Sequence, residues 1–364
     1  MAKLKSNLKS KHLYYISLAF EQAKVNLGST GTNPSVGCVI EKNGTVLSSG
    51  RTSLLGRPHA EFNALKKKIN FKDSNLYVTL EPCTHFGITP PCTKKIIKKK
   101  IKNVFFSVFD LDSRTREKSL LDFKKSKIKV VSDIKRRFGF DFYKSYFLKH
   151  KKLLPYIDAK IAVSKDFFYK NKKSKWITNE HSRKRAHLLR TSYDCILTTS
   201  KTINDDNSRF NCRLEGLENK SPSIVIIDRF FKLKKNSKIV KEKSKRKIFL
   251  FTTIYNKEKK KYFNSKGIKI IQQKNMKNQK DFKLILSNLR DFGISRILVE
   301  SGMCFLNFLI LGRFVQNLFV FRSNSYLKKN GINYGKVNII KNLNLKNKID
   351  VNLLGDFLYK VKLK

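Results

Sequence analysis

The sequence predicts an α/β protein of two consecutive domains, residues 1–152 and 153–364, on three observations. With 364 residues the chain is too long for one typical domain and suits two, at roughly 150 residues each. Short apolar, β-rich runs alternate with segments of helical periodicity along its whole length, the pattern of a layered α/β architecture. A hydrophobic fraction of 40% and an aromatic fraction of 12% supply enough apolar side chains for two cores, although 29% of residues are charged.

The first domain opens with an amphipathic helix, since Leu13, Ile16, Phe20, Ala23 and Leu27 recur at helical spacing. Val36–Ile40 and Thr45–Ser48 flank Asn43-Gly44, the strongest short hairpin signal, and so read as paired strands. A helix starting near His59, a strand at Leu76–Leu80, a helix after Cys92 and a strand at Val104–Val108 follow, then a further helix and strand by Val131. A helical stretch from Asp133 to about His150 ends the domain at Leu153-Leu154-Pro155, because proline breaks a helix and disfavours it just upstream.

The second domain reads as a strand at Tyr156–Val163, a helix at Glu180–Thr191 and strands at Cys195–Thr198, Ile224–Ile227, Ile248–Thr252 and Ile268–Ile271. A helix near Phe282–Leu289, the strand Ile297–Val299, a helix from about Cys304 to Leu311 and late strands such as Leu318–Phe321 complete it. The Lys/Asn/Ser-rich stretches 236–247 and 254–266 read as surface connections. No internal repeat is visible.

The formal net charge of +52 would point to a nucleic-acid partner if it were gathered on one element. Instead the lysines are spread in runs such as 66–68, 98–100 and 259–261, beside abundant Asn and Ile, which reads as compositional drift over solvated positions rather than a specific nucleic-acid footprint. Six cysteines are too sparse for a disulfide scaffold, and neither a signal core nor a membrane-length apolar stretch is present, so a reducing cytoplasm without membrane attachment is expected.

One cluster carries chemistry. His59-Ala60-Glu61 opens a helix, Glu81-Pro82-Cys83 ends a strand, and Cys92 opens the next helix. One imidazole and two thiolates give the three protein ligands of a catalytic zinc, which keeps its fourth position for water and lowers the pKa of that water toward neutrality. Glu61 then stands where the non-ligand glutamate of zinc deaminases shuttles a proton from water to the leaving amine. Singly, each residue has a bland alternative, a capping histidine or a buried small thiol. Together they predict one zinc per chain.

Asn33-Pro34-Ser35-Val36-Gly37-Cys38, Pro58-His59-Ala60-Glu61 and the run from Tyr77 to Cys92 resemble the bifunctional riboflavin-biosynthesis deaminase/reductase family. The spacer Thr84-His85-Phe86-Gly87-Ile88-Thr89-Pro90-Pro91 between the cysteines is its specific part, longer than the spacer common in nucleic-acid deaminases. The resemblance implies a cytidine-deaminase-like three-layer domain in which His59, Cys83 and Cys92 hold zinc, Glu61 moves the proton, and Asn33 and His85 orient the pyrimidine. Departures from the family pattern are Thr52 in place of a histidine, Ile88 in place of Lys or Arg, and Leu111–Ser113 in place of a Pro-Asn-Pro loop after Asp110.

No Gly-x-Gly-x-x-Gly run occurs in the second domain, which removes the Rossmann reading. Its stretches 160–166, 174–178, 189–190, 202–213 and 298–302 resemble the same family's second domain, similar in fold to dihydrofolate reductase. By that resemblance Ala162, Trp176, Thr202, Asp206 and the segment beginning at Gly302 touch NADPH, while Ser174, Arg190, Phe210, Arg213 and Glu300 touch the phosphorylated substrate. Lys160 and Glu300 are the polar groups expected nearest the reduced carbon. Here Phe167 replaces a glycine, Asn207-Ser208 an Asp-Pro, and Arg229 a serine.

The expected function is therefore hydrolytic deamination of a diamino-hydroxy-pyrimidine ribose phosphate followed by NADPH-dependent reduction of its ribosyl group to ribityl. Two other readings compete: a tRNA-type nucleic-acid deaminase with a basic accessory domain, and a decayed zinc-binding module. Homo-oligomerisation stays open.

Overall fold

In the computed structural model, which describes residues 2–242, 246–333 and 339–364, the chain divides into two units, Met1–Leu153 and Leu154–Lys364. The first begins with α1 (Ala2–Val25), β1 (Gly37–Lys42) and β2 (Thr45–Arg51). Asn43 and Gly44 take φ of 51° and 88°, the left-handed pair that a two-residue hairpin turn requires. There follow α2 (Ala60–Ala64), β3 (Asn75–Leu80), α3 (Cys92–Lys98), β4 (Asn103–Val108), α4 (Lys118–Lys125), β5 (Lys129–Val131), α5 (Arg136–Phe142) and α6 (Lys144–His150).

The five strands lie in the order β2-β1-β3-β4-β5, antiparallel up to β3 and parallel beyond it. Two glycines set how closely helices approach this sheet. A Cβ on Gly37 would run into the backbone of Ala19 in α1, and one on Gly50 into that of Ala60 and Ala64 in α2. Gly37 and its neighbour Cys38 point to opposite faces, and Gly50 is paired with Cys38, so α1 and α2 cover opposite faces of the sheet. Three layers result, closed by a core that includes Ile16, Phe20, Val39, Tyr77, Phe106 and Phe123.

Two differences from the sequence reading have physical causes. α1 starts at Ala2 rather than near Leu13, because its first turns are Lys- and Ser-rich and offer only Leu4 and Leu8 to announce them. The stretch after Asp133 is two helices broken at Tyr143, whose buried hydroxyl meets Thr79 Oγ1 at 2.5 Å and donates to the Ser35 carbonyl at 3.2 Å.

The second unit comprises β6 (Tyr156–Val163), β7 (Lys170–Asn171), α7 (Glu180–Arg190), β8 (Cys195–Thr199), α8 (Ser200–Asp206), β9 (Ser223–Ile227), α9 (Lys238–Lys241), β10 (Ile248–Thr252), α10 (Lys257–Ser265), β11 (Ile268–Gln272), α11 (Gln279–Asp291), β12 (Arg296–Val299), α12 (Met303–Leu311), β13 (Asn317–Arg322), β14 (Gly331–Ile332) and β15 (Phe357–Lys362). Eight strands form one sheet in the order β11-β10-β9-β8-β12-β6-β13-β15, parallel throughout except for the β13–β15 pair. β7 and β14, far apart in sequence, form a separate short antiparallel pair. Strands buried on both faces read as continuous apolar runs, which is why β8, β9 and β10 were legible.

The connections were less so. Stretch 254–266, expected as a surface loop, contains α10, whose N-cap is the Asn256 side chain accepting from the Lys259 amide and whose one fully buried anchor is Phe263. A helix with so narrow an apolar contact has no stripe to betray it. Stretch 236–247 includes the short α9 with Ile239 and Val240 buried, and its residues 243–245 lie outside the described residues.

Candidate active sites

In the first unit three elements converge on one point. His59 is the N-cap of α2 and Glu61 lies in that helix's first turn; Cys83 follows the end of β3; Cys92 is the first residue of α3. His59 Nδ1 lies 3.6 Å from Cys83 Sγ and 3.5 Å from Cys92 Sγ, and the three ligand atoms fall within 4.8 Å of one another. Tetrahedral zinc, with Zn–S near 2.3 Å and Zn–N near 2.0–2.1 Å, requires N···S separations of about 3.5 Å. The donor set therefore fits zinc in kind and in spacing, with three protein ligands and a fourth position open.

The electrostatics suit the same use. The Cys83 thiol is pulled down by its contact with the Cys92 thiol and by His59, while Cys92 is pushed up by that contact and by burial. The Cys92 amide also donates to Cys83 Sγ at 3.4 Å, so the start of α3 meets the thiolate with a backbone N–H. Glu61 is buried, and desolvation together with the nearby Cys83 raises its carboxyl to about 7. A carboxyl poised near neutrality can both take and return a proton.

Around this triangle Asn33 donates through Nδ2 to the Gly56 carbonyl at 2.9 Å, and His85 Nδ1 pairs with Thr115 Oγ1 at 3.0 Å. Glu81, a motif residue given no role by the sequence, is structural: Ser119 Oγ donates to it at 2.6 Å, and the Asp110 and Glu117 amides at 3.2 Å, tying the end of β3 to the start of α4. Thr52 accepts from the Val36 amide at 2.9 Å, inside the core, where it fixes the entry to β1. Ile88 is solvent-exposed.

In the second unit β6 and β12 run side by side in parallel and bring Lys160 and Glu300 together. Arg190 of α7 grips Glu300 with both arms, Nε to Oε1 at 2.6 Å and Nη2 to Oε2 at 2.9 Å, and its Nη1 donates to the Asn211 carbonyl at 2.9 Å. Lys160 Nζ lies 3.8 Å from Glu300 Oε2. Burial alone would raise the Glu300 carboxyl, but the Arg190 charge and hydrogen bonds, with Lys160, hold it at about 2. Burial lowers Lys160 against the pull of Glu300.

His187, one turn before Arg190, was not singled out by the sequence; its Nδ1 meets the Asn211 carbonyl at 2.8 Å, and burial with Arg190 and Arg213 nearby lowers it to about 4, so it is neutral. Arg190 also faces the Phe210 ring, 5.8 Å from its centroid. Arg213 is exposed, and among the described residues it bonds the Asn211 side chain, at 3.2 Å.

A second group gathers at the start of α12. The Gly302 amide, at the N-cap, donates to Thr202 Oγ1 at 3.2 Å, joining two residues that lie far apart in sequence. Asp206 ends α8, and its carbonyl accepts from Lys175 Nζ at 2.8 Å, which draws the 174–176 segment toward it. Within that segment the Trp176 amide donates to Ser174 Oγ at 3.1 Å, while the half-exposed indole carries Arg183 at 4.7 Å. Ala162 shares a face of β6 with Lys160.

Residues 9–108 match the cytidine and deoxycytidylate deaminase zinc-binding region, and residues 155–323 match the RibD C-terminal domain. A riboflavin biosynthesis protein RibD from Aquifex aeolicus is 32% identical over 293 residues, 79% of this chain and 80% of that protein. The chain belongs to the RibD family. The RibD of Chlamydia muridarum is 30% identical over 78% of this chain and 79% of its own length. A Thermotoga maritima structure described as a diaminohydroxyphosphoribosylaminopyrimidine deaminase/5-amino-6-(5-phosphoribosylamino)uracil reductase superposes with a TM-score of 0.81 at 26% identity, covering 97% of this chain and 99% of that one. RibD from Acinetobacter baumannii, at 24% identity over 97% of this chain and 99% of its own and a TM-score of 0.81, shares the fold.

As a RibD, the chain is a bifunctional enzyme of riboflavin biosynthesis, with a zinc-binding deaminase region followed by a reductase domain. This favours the riboflavin reading over the nucleic-acid deaminase. No helix among the described residues is long and apolar enough to cross a membrane.

Two departures from the RibD pattern now have a local explanation. Phe167 sits at φ 65° in the turn after β6, a left-handed position that glycine takes without strain. Asn207, in place of an aspartate, takes φ 48° as the C-cap of α8 and accepts from the Lys238 amide at 2.8 Å, a left-handed conformation that asparagine tolerates. Nothing in the structure explains Arg229 in place of serine.

Proposed function

We propose that deamination takes place in the unit Met1–Leu153 and reduction in the unit Leu154–Lys364, on a diamino-hydroxy-pyrimidine ribose phosphate and its deaminated product. The observation that carries the first half is the His59–Cys83–Cys92 triangle with Glu61 buried beside it. When bound there, zinc supplies a Lewis acid that acidifies water. Glu61 takes the proton of the attacking water on its carboxylate and returns it to the leaving amine nitrogen, so water and substrate become a carbonyl product and ammonia. Asn33 and His85, fixed by Gly56 and Thr115, orient the ring.

When bound in the second unit, NADPH would supply the hydride for the ribose carbon of an open-chain imine, whose nitrogen takes a proton from water. Thr202, Gly302, Asp206, Trp176 and Ala162 would form its binding wall, with the N-terminal end of α12, whose dipole favours an anion, suited to a phosphate. Lys160 and Glu300 stand nearest the reacting carbon, and Ser174, Phe210 and Arg213 hold the ribotide. Arg190 acts through Glu300: its fork is already filled, so it sets the carboxylate rather than clamping a phosphate. That no disulfide joins the six cysteines suits a reducing cytoplasm.

The test is product analysis by mass. Purified protein given the diamino-pyrimidine ribotide should release ammonia without nicotinamide and yield the ribityl compound only when NADPH is added. Reduction without prior deamination, or no ammonia release from zinc-replete protein, would refute the assignment.

A further inference from the structure

Arg57 stands on the loop that leads into α2, two positions before the ligand His59, and neither the zinc triangle nor Glu61 accounts for it. Its Nη1 donates to Thr89 Oγ1 at 2.7 Å, so the side chain crosses to the spacer that separates the two cysteines. Its Nη2 lies along the same spacer, 3.2 Å from where a Cβ on Gly87 would be. The guanidinium therefore bridges the loop that leads to the ligand His59 and the spacer that joins the ligands Cys83 and Cys92.

Three features separate it from the many solvated cations of this chain. It is half-buried. No carboxylate among the described residues pairs with it, and its Nε and Nη2 donors have no protein acceptor there. Its position is fixed from both ends, by Thr89 at the fork and by Asn33, which holds the Gly56 carbonyl just before it. Meanwhile the spacer tip, Phe86-Gly87-Ile88, carries no charge of its own, with Ile88 87% exposed.

A fixed guanidinium with spare donors and no counter-ion is complementary to an anionic phosphate, which accepts two parallel N–H bonds. We propose that Arg57, assisted by the Thr89 hydroxyl, binds the substrate's phosphate in the deaminase site. Thr89 Oγ1 accepts from Arg57 and keeps its own proton to donate, so the pair presents N–H and O–H donors together. The assignment rests on the deaminase reading above and adds to it a residue that selects the ribotide over the free nucleoside.

The experiment measures ammonia release by the full-length, zinc-loaded protein on the pyrimidine ribotide and on the same compound without its phosphate, for wild type, Arg57→Gln and Arg57→Lys. Wild type should prefer the ribotide. Arg57→Gln should raise KM for the ribotide about 10- to 100-fold, the range for a lost charged hydrogen bond, and so collapse that preference. Zinc content, measured by metal analysis, should not change, and Arg57→Lys should recover part of the preference because it keeps the charge without the fork. Inorganic phosphate should compete with the ribotide in wild type and lose that effect in Arg57→Gln. An Arg57→Gln protein that loses zinc or kcat while keeping the wild-type preference would overturn the proposal. So would a wild type that turns over both compounds equally, although deamination itself would then stand. A wild type that releases ammonia from neither compound overturns the deaminase reading and this inference with it.

Discussion

Replacing Glu300 by Gln removes the buried carboxylate that the partly buried Arg190 and Lys160 share. Its folded-state carboxyl is held at about 2 against an ordinary 4.5. At 1.36 kcal/mol per unit, that depression corresponds to about 3 kcal/mol of stability at neutral pH. Breaking a buried ion pair by deleting one partner costs about 3–5 kcal/mol by direct comparison, so the two routes agree. Because the folded value is the lower one, the contribution is complete above the unfolded value and is lost as pH falls from there toward 2. The same linkage leaves about 1.4 kcal/mol at pH 3. The chain's single tryptophan, Trp176, lies in this unit, so urea unfolding followed by its fluorescence reports on the right transition. Glu300→Gln should be about 3 kcal/mol less stable than wild type at pH 7, and the gap should shrink to under half by pH 3. An equal gap at both pH values, or a gap at pH 7 below about 1 kcal/mol, would refute the reasoning.

Other substitutions separate the two chemistries. Glu61→Gln should keep its zinc by metal analysis yet lose deamination by at least ~10²-fold, and a fully active variant would mean that another group moves the proton. Cys92→Ser should lower both zinc occupancy and the thermal midpoint of the first unit, since metal binding and folding are coupled; full zinc in the purified variant would sink the ligand assignment. Residues 1–153 expressed alone should deaminate without nicotinamide, whereas a folded 154–364 fragment that binds no NADPH would remove the reductase assignment. Random DNA should bind weakly and lose affinity steeply with salt, without changing turnover, and sequence-selective RNA binding at physiological salt would contradict the drift reading of the charge.

What could be read in the sequence followed from how local each signal was. The zinc triangle was legible because His59, Cys83 and Cys92 sit at element ends whose types the surrounding apolar runs announce, and because few other chemistries use that donor set. The Arg190–Glu300 grip was not, since the sequence offers no distance between the end of α7 and the end of β12; only the sheet order makes them neighbours. Arg190 was expected on the substrate, and its partner Glu300 could not be read beside that role. His187 and Glu81 escaped for the same reason, because a histidine in a helix and a glutamate before proline look ordinary until their partners appear. Helix α10 escaped for a different one: when a single phenylalanine does the anchoring, periodicity has nothing to count.

The missing side chain at Gly50 reaches further than its place on an outer strand implies. Helix α2 spans only Ala60–Ala64, barely more than one turn, and it rests its backbone directly on that glycine. His59 and Glu61 ride on the same turn. A single methyl group at position 50 would lift that turn off the sheet and shift the metal ligand and the proton carrier together. In a scan of single substitutions, position 50 should therefore score like a ligand although it has no atom that could touch metal or substrate. Tolerance to mutation in this half of the enzyme maps the thinnest spacing between layers as much as it maps the chemistry.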